Sequence, residues 1–189
     1  MPKKKDAHLC EIRNMTDTSA DIYFYGDIVS DWWGAWQAED QYPDNIKNML
    51  AAADGRDLNI YINSGGGEVG NGLALYDVMQ YISSPVRTVC VGLAASMAAV
   101  LFAAGDRREM FSHSKVMIHD PSISGRMTRN ALELQVMSQD LMDTRRSLAE
   151  ILAKHTGRTA EEILEKTVTD CFFDAESAIE FGLADSIIA

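Results

Sequence analysis

Apolar positions recur along this chain with two alternating periods. In LNIYIN (58–63), Leu58, Ile60 and Ile62 fall on one side, the period-two pattern of a half-buried strand. Between 69 and 82, apolar side chains at 69, 73, 76, 79 and 82 form one helical stripe, which Pro85 brings to an end. Aromatic and β-branched residues predict a further strand over 21–29 (DIYFYGDIV). An irregular stretch with Trp32, Trp33 and Trp36 follows, then a helix over 45–53. Downstream the pattern predicts a strand over 86–91 and an alanine-rich helix from about Ser96. Short strands over 108–111 and 115–119 come next, then a loop over 120–125. A long helix is expected over about 128–154, with apolar positions 134, 137, 141, 148 and 151 and Gly157 just past its end. Thr159 and Glu162 have the spacing of a capping box, 174–181 reads as a last helix, and 183–188 as a closing strand. Strands alternating with helices predict an α/β class with largely parallel pairing.

Composition narrows this picture. The 189 residues carry a net charge of −11, with 47% hydrophobic and 24% charged side chains, values of a globular chain with a sizeable core. A single domain over 1–189 is expected. The acidic balance excludes a general nucleic-acid binder, which needs a basic face. Three widely spaced cysteines (Cys10, Cys90, Cys171) form neither a disulfide framework nor a zinc pattern, so a reducing compartment and no metal or organic cofactor are expected. Residues 1–5 start like a signal peptide, but no apolar stretch follows. Residues 88–105 hold no charge. Their β-branched first half and alanine-rich second half nevertheless read as a buried strand entering a buried helix, not a membrane span. The expectation is a cytoplasmic protein without membrane or nucleic-acid partners.

Two segments carry candidate chemistry. Asn63-Ser64-Gly65-Gly66-Gly67 follows a strand, and its glycines let backbone N–H groups approach a ligand. It lacks the lysine of a phosphate loop and the GxGxxG spacing, which leaves an oxyanion cradle or a plain strand–helix turn. In GLAASMAA (92–99), Ser96 sits among small residues at a strand-to-helix junction, either as a reachable nucleophile or as an ordinary N-cap. A nucleophilic serine needs a base and a group that orients it. Of His8, His113, His119 and His155, only His119 ends an apolar strand, where parallel sheets put their sites. Among the acids, Asp120 is adjacent to His119 and should point elsewhere. Asp174 resembles an N-cap, Asp185 lies beside the last strand, and Asp170 ranks first as a partly buried carboxylate before Cys171-Phe172-Phe173.

These segments resemble a known family. INSGGG, YDVMQYI, VGLAASMAA, VMIHDP, TDCFF and AIEFGLADSI, over about residues 57–188, are similar to the ClpP family, the serine-peptidase subunit of the Clp protease. The resemblance implies Ser96 as nucleophile, His119 as base and Asp170 as its orienting acid. It further implies an oxyanion hole from the backbone N–H groups of Gly67 and Met97. Substrate-flanking strands would come from Gly66, Gly67, Glu68 and Val69 and from Ile123, Ser124 and Gly125. It implies a crotonase-like fold of stacked βαβ units, with a divergent N-terminal arm over 1–20 and a projecting handle helix over about 126–155. Polypeptide substrates and heptameric rings, stacked in pairs, follow from the same resemblance. Gly65 stands where the family usually has proline, and the first 56 residues match poorly. Residues 31–36 instead resemble phage and prophage ClpP-like head-maturation proteases, which leaves an AAA+ unfoldase partner open. A catalytically idle ring-forming scaffold and a crotonase-type acyl-CoA enzyme are the alternatives.

Overall fold

The computed structural model describes residues 11–29, 44–123, 125 and 128–188. Its centre is one sheet. β1 (Glu11–Arg13) lies antiparallel to β2 (Ser19–Tyr25), which runs parallel to β3 (Asp57–Ser64) and thence to β4 (Val86–Ala95). The first half of β4 pairs with β5 (Arg107–Phe111), which in turn pairs with β8 (Ser186–Ile188). The second half of β4 pairs with β6 (Lys115–Ile118), and β6 also takes β7 (Cys171–Phe173) antiparallel. The expected parallel α/β arrangement is present. The two antiparallel strands, β1 and β7, are three residues each, too short for periodicity to reveal.

The period-two pattern sets which face is covered. Ala20, Ile22 and Phe24 of β2 and Leu58, Ile60 and Ile62 of β3 are each at most 2% exposed. The opposite face carries Tyr23 stacked on Tyr61, their ring centroids 4.9 Å apart. The predicted 21–29 strand stops at Tyr25, because Gly26 takes a φ of 90° that no strand continues.

Helices α1 (Asp44–Ala53), α2 (Val69–Tyr81) and α3 (Met97–Ala103) connect the parallel strands. In α2 the buried positions are Gly72, Leu75, Tyr76 and Met79, so the stripe is rotated from the predicted one, with Val69 and Leu73 at its margin. The rotation follows from Met97, whose side chain occupies the space a Cβ at Gly72 would take. Every residue of α3 is buried, so the uncharged 88–105 segment is a strand entering a core helix. Among the described residues, no helix is long and apolar enough to cross a membrane.

The long helix α4 (Ala131–Thr156) starts three residues later than predicted, at an Asn130–Glu133 capping box, and ends at Gly157 with φ 72°. Its last third packs Ala149 and Leu152 into the core, whereas its first third leaves Leu132, Leu134 and Val136 exposed. α5 (Ala160–Thr167) carries the predicted Thr159–Glu162 capping box, and α6 (Ala175–Phe181) follows β7.

His155 fastens α4 to α2, its Nε2 lying 3.1 Å from the Tyr76 hydroxyl. Burial, and then the Lys154 and Arg108 charges, hold its pKa below the ordinary 6.5. The folded chain therefore takes up this proton less readily than the unfolded chain, and stability falls as pH drops through about 6.5. The melting temperature should drop by a few degrees between about pH 7.5 and about pH 5, and His155→Gln should flatten that drop. Equal slopes for both proteins in thermal melts would contradict this.

Candidate functional site

Sheet register brings together three side chains distant in sequence. β6 lies parallel to the end of β4, with Ala95 opposite Met117, and the Ser96 N–H donates to the Met117 carbonyl at 2.8 Å. On its other side, β6 pairs antiparallel with β7 through Val116–Phe173, Met117–Phe172 and Ile118–Cys171. One more step along that ladder sets His119 opposite Asp170, and directly opposed residues approach closely. The Ser96 Oγ lies 2.8 Å from His119 Nε2, and His119 Nδ1 lies 3.5 Å from an Asp170 carboxylate oxygen. The His119 side chain is 27% exposed. Asp170, expected to be partly buried, is 64% exposed. The physical reason is the position of β7, which among the described residues pairs with β6 alone and so fronts on solvent.

Ser96 is held in a costly conformation. Its φ of 55° lies where L-residues are rarely found, a strain of about 1–3 kcal/mol that surrounding structure must sustain. It occupies the N-cap position of α3, yet its side chain makes no capping hydrogen bond. The hydroxyl thus has the histidine as partner instead of the helix, which decides against the ordinary N-cap reading. Met97 opens α3, where a backbone N–H has no intrahelical acceptor.

The glycine run packs directly on this turn. A Cβ at Gly66 would come within 2.6 Å of the Ala95 carbonyl and 2.7 Å of Ser96 Cβ, and one at Gly67 would meet the Ile28 carbonyl at 2.1 Å. Both glycines have positive φ, 94° and 141°. The Ile28 N–H donates to Gly66 O at 2.7 Å and the Glu68 N–H to Ile28 O at 2.8 Å. Among the described residues, no hydrogen bond uses the Gly67 N–H. Glu68 caps α2, its carboxylate accepting from the Gly70 and Asn71 N–H groups.

The rival groups have other occupations. Asp174 accepts the Ser177 N–H as the N-cap of α6, Asp185 pairs with Arg108, and Asp120 turns away from His119 to Arg145. His113 is exposed and His155 is engaged with Tyr76, while His8 lies outside the described residues. Burial pushes the Cys90 thiol up to about 12, which leaves no thiolate. Among the described residues no group of histidine, cysteine and carboxylate side chains is arranged to hold a metal ion.

Two spaces meet at Ser96 and His119. An open cleft of about 730 Å³ runs between Gly67, Glu68 and Ile123 on one side and Asp140, Leu141 and Thr144 of α4 on the other. A smaller pocket of about 30 Å³ lies beneath, walled by Met97, Val100, Leu148 and Leu152 and closed by Asp120 and Arg145. Gly67, Glu68, Val69 and Ile123 border the cleft, and Gly125 has open space around it with φ 100°. Ser124 and the tryptophan stretch 31–36 lie outside the described residues. Sequence reasoning missed the α4 residues that line both spaces, because nothing local marks which side of a polar helix faces a cleft.

Gly65→Ala and Gly66→Ala form a matched pair. A Cβ at Gly65 finds its nearest atom at an ordinary 3.5 Å, so that change should be near neutral. Gly66→Ala should destabilise by about 1–3 kcal/mol through strain and close contact with Ser96. Denaturant unfolding measures both, and equal midpoints would contradict the packing described.

A family model described as Clp protease matches residues 36–189. The match spans the glycine run, the Ser96 turn, the end of β6 and the start of β7, together with the helices between them. The chain therefore belongs to the Clp protease family, whose members are oligomeric serine peptidases that act on polypeptides.

Proposed function

We propose that this chain is a serine endopeptidase in which Ser96, His119 and Asp170 act as a triad on extended polypeptide. The observation that carries the reading is the 2.8 Å contact of the Ser96 hydroxyl with His119 Nε2, made by a serine released from helix capping. In this reading the imidazole proton resides on Nδ1, facing Asp170, so that Nε2 accepts the Ser96 proton as Oγ attacks the scissile carbonyl. The carbonyl oxygen gains negative charge, and the N–H groups of Gly67 and Met97 would be the donors to it. His119 then gives its proton to the leaving amine, and water releases the acyl group by the same steps in reverse order.

The cleft suits a substrate bound as an added strand beside Gly67 and Ile123, with weak side-chain selectivity. The apolar pocket beneath Ser96 would take a small side chain next to the scissile bond. Rings fit the exposed start of α4: Leu132 is 74% and Val136 69% exposed, an apolar face that a neighbouring copy would cover. In this reading α4 is the handle of a crotonase-like protomer, and proteolysis happens inside a chamber of stacked heptameric rings.

Ser96→Ala should lower cleavage of casein by at least about 10³-fold while leaving the assembled mass unchanged in light scattering. It should also abolish covalent labelling by a fluorophosphonate. Undiminished turnover would refute the assignment, and absence of labelling in the unaltered protein would favour an idle scaffold. Running the casein assay with and without an AAA+ unfoldase separates a Clp-type subunit, which it stimulates, from a phage-type maturation protease, which it does not.

A further inference from the structure

We propose that Arg145, together with Asp120, is a positioning pair that sets the separation of His119 and Asp170; the inference rests on the triad reading above. Three bonds tie the two ends of that contact together. The Asp120 N–H donates to the Thr167 carbonyl at 2.7 Å, which joins the residue after His119 to the last turn of α5. Arg145 Nε donates to the Asp120 carboxylate at 2.7 Å, and Arg145 Nη2 donates to the Leu164 carbonyl at 2.9 Å. One guanidinium on α4 thus grips the end of β6 and the end of α5 at once. Asp170 lies three residues beyond Thr167, with only a short turn between.

Such a clamp is needed because the contact it governs is weak by itself. At 3.5 Å, with a carboxylate 64% exposed, the His119–Asp170 pair is longer than a good hydrogen bond and is screened by water. Its separation must be imposed by the backbone on either side. The clamp also has the marks of a geometric device. The Arg145 and Asp120 side chains are 22% and 29% exposed, and the second Asp120 oxygen, Oδ1, is buried with no hydrogen-bond partner among the described residues. An orphaned carboxylate oxygen is costly, and a part-buried ion pair adds little stability over apolar residues of similar volume. What the pair supplies that apolar residues lack is a directional, forked link between three elements.

The test measures kcat and KM of Arg145→Gln, Arg145→Lys, Asp120→Asn and the Asp120→Asn/Arg145→Gln double variant on an unstructured peptide. The rate of fluorophosphonate labelling and the assembled mass are followed in parallel. Arg145→Gln should lower kcat and the labelling rate by about 10²-fold, the scale of a small misplacement of catalytic groups, over and above any change in KM from the pocket that Arg145 helps to close. Arg145→Lys should recover part of the loss, because it keeps the charge but grips one partner instead of two. The double variant should be no worse than Arg145→Gln alone, as expected for residues that act as a unit. Unaltered kcat in Arg145→Gln, a loss confined to KM, or losses that multiply in the double variant would each overturn the proposal. Should Arg145→Gln fail to assemble, full kcat in Asp120→Asn would overturn it equally. An unaltered protein that neither cleaves nor labels at Ser96 would sink the peptidase reading itself, whereas active Arg145 variants in an active enzyme sink only the clamp.

Discussion

The pairing of β6 on both sides is the constraint on which the candidate site depends. Four residues, Lys115–Ile118, are held parallel to the end of β4 and antiparallel to β7. That double register brings Ser96, His119 and Asp170 to adjacent strand ends in one row, although 23 residues separate the first pair. A shift of either ladder by one residue would turn His119 to the opposite face of the sheet. The order of the three groups is therefore a property of strand order.

β4 makes room for β6 by changing partners midway. Arg87–Cys90 pair with β5 and Leu93–Ala95 with β6, and between them Gly92 takes a φ of 88°. Ile62 lies opposite Cys90 but Ser64 lies opposite Ala94, so β4 carries extra residues at the bend. Buried Ser114 holds this point, accepting the Gly92 N–H at 2.8 Å and donating to the Cys90 carbonyl at 3.0 Å. The bend splays β5 from β6 and opens the sheet where Ser96 emerges. The strained Ser96 turn and the close glycine run then sit on strands with one buried face and on the fully buried α3.

Helix α4 joins the two scales of the molecule. Its first third exposes the apolar side chains of Leu132, Leu134 and Val136, the face proposed above to meet a neighbouring copy. Its middle borders the cleft through Asp140, Leu141 and Thr144, and Arg145 one turn on reaches the residue after His119. An element that has so few core contacts at one end and such direct links to the site at the other is well placed to let assembly and site geometry depend on each other.

Sequence alone determined the elements and the chemistry carried at their ends. Local periodicity was enough for β3, α2 and the buried β4–α3 unit, because each is long and has a one-sided or wholly apolar environment. The Thr159–Glu162 capping box and the helix-ending Gly157 were readable because these are local backbone requirements, whereas the Asn130–Glu133 box was not read. Motif order was enough for the family and for the nomination of Ser96, His119 and Asp170, a choice that residue chemistry by itself left open against Asp120, Asp174 and Asp185. Tertiary structure decided what depends on pairing between distant segments. It supplied the three-residue strands β1 and β7, which owe their existence to a neighbour's edge. It also fixed the rotation of α2 around Met97 and the exposure of Asp170 on an edge strand. The occupation of each rival acid and the reach of Arg145 across three elements came from the same source. None of these leaves a mark in a single stretch of chain, because each is set by what another stretch brings alongside it.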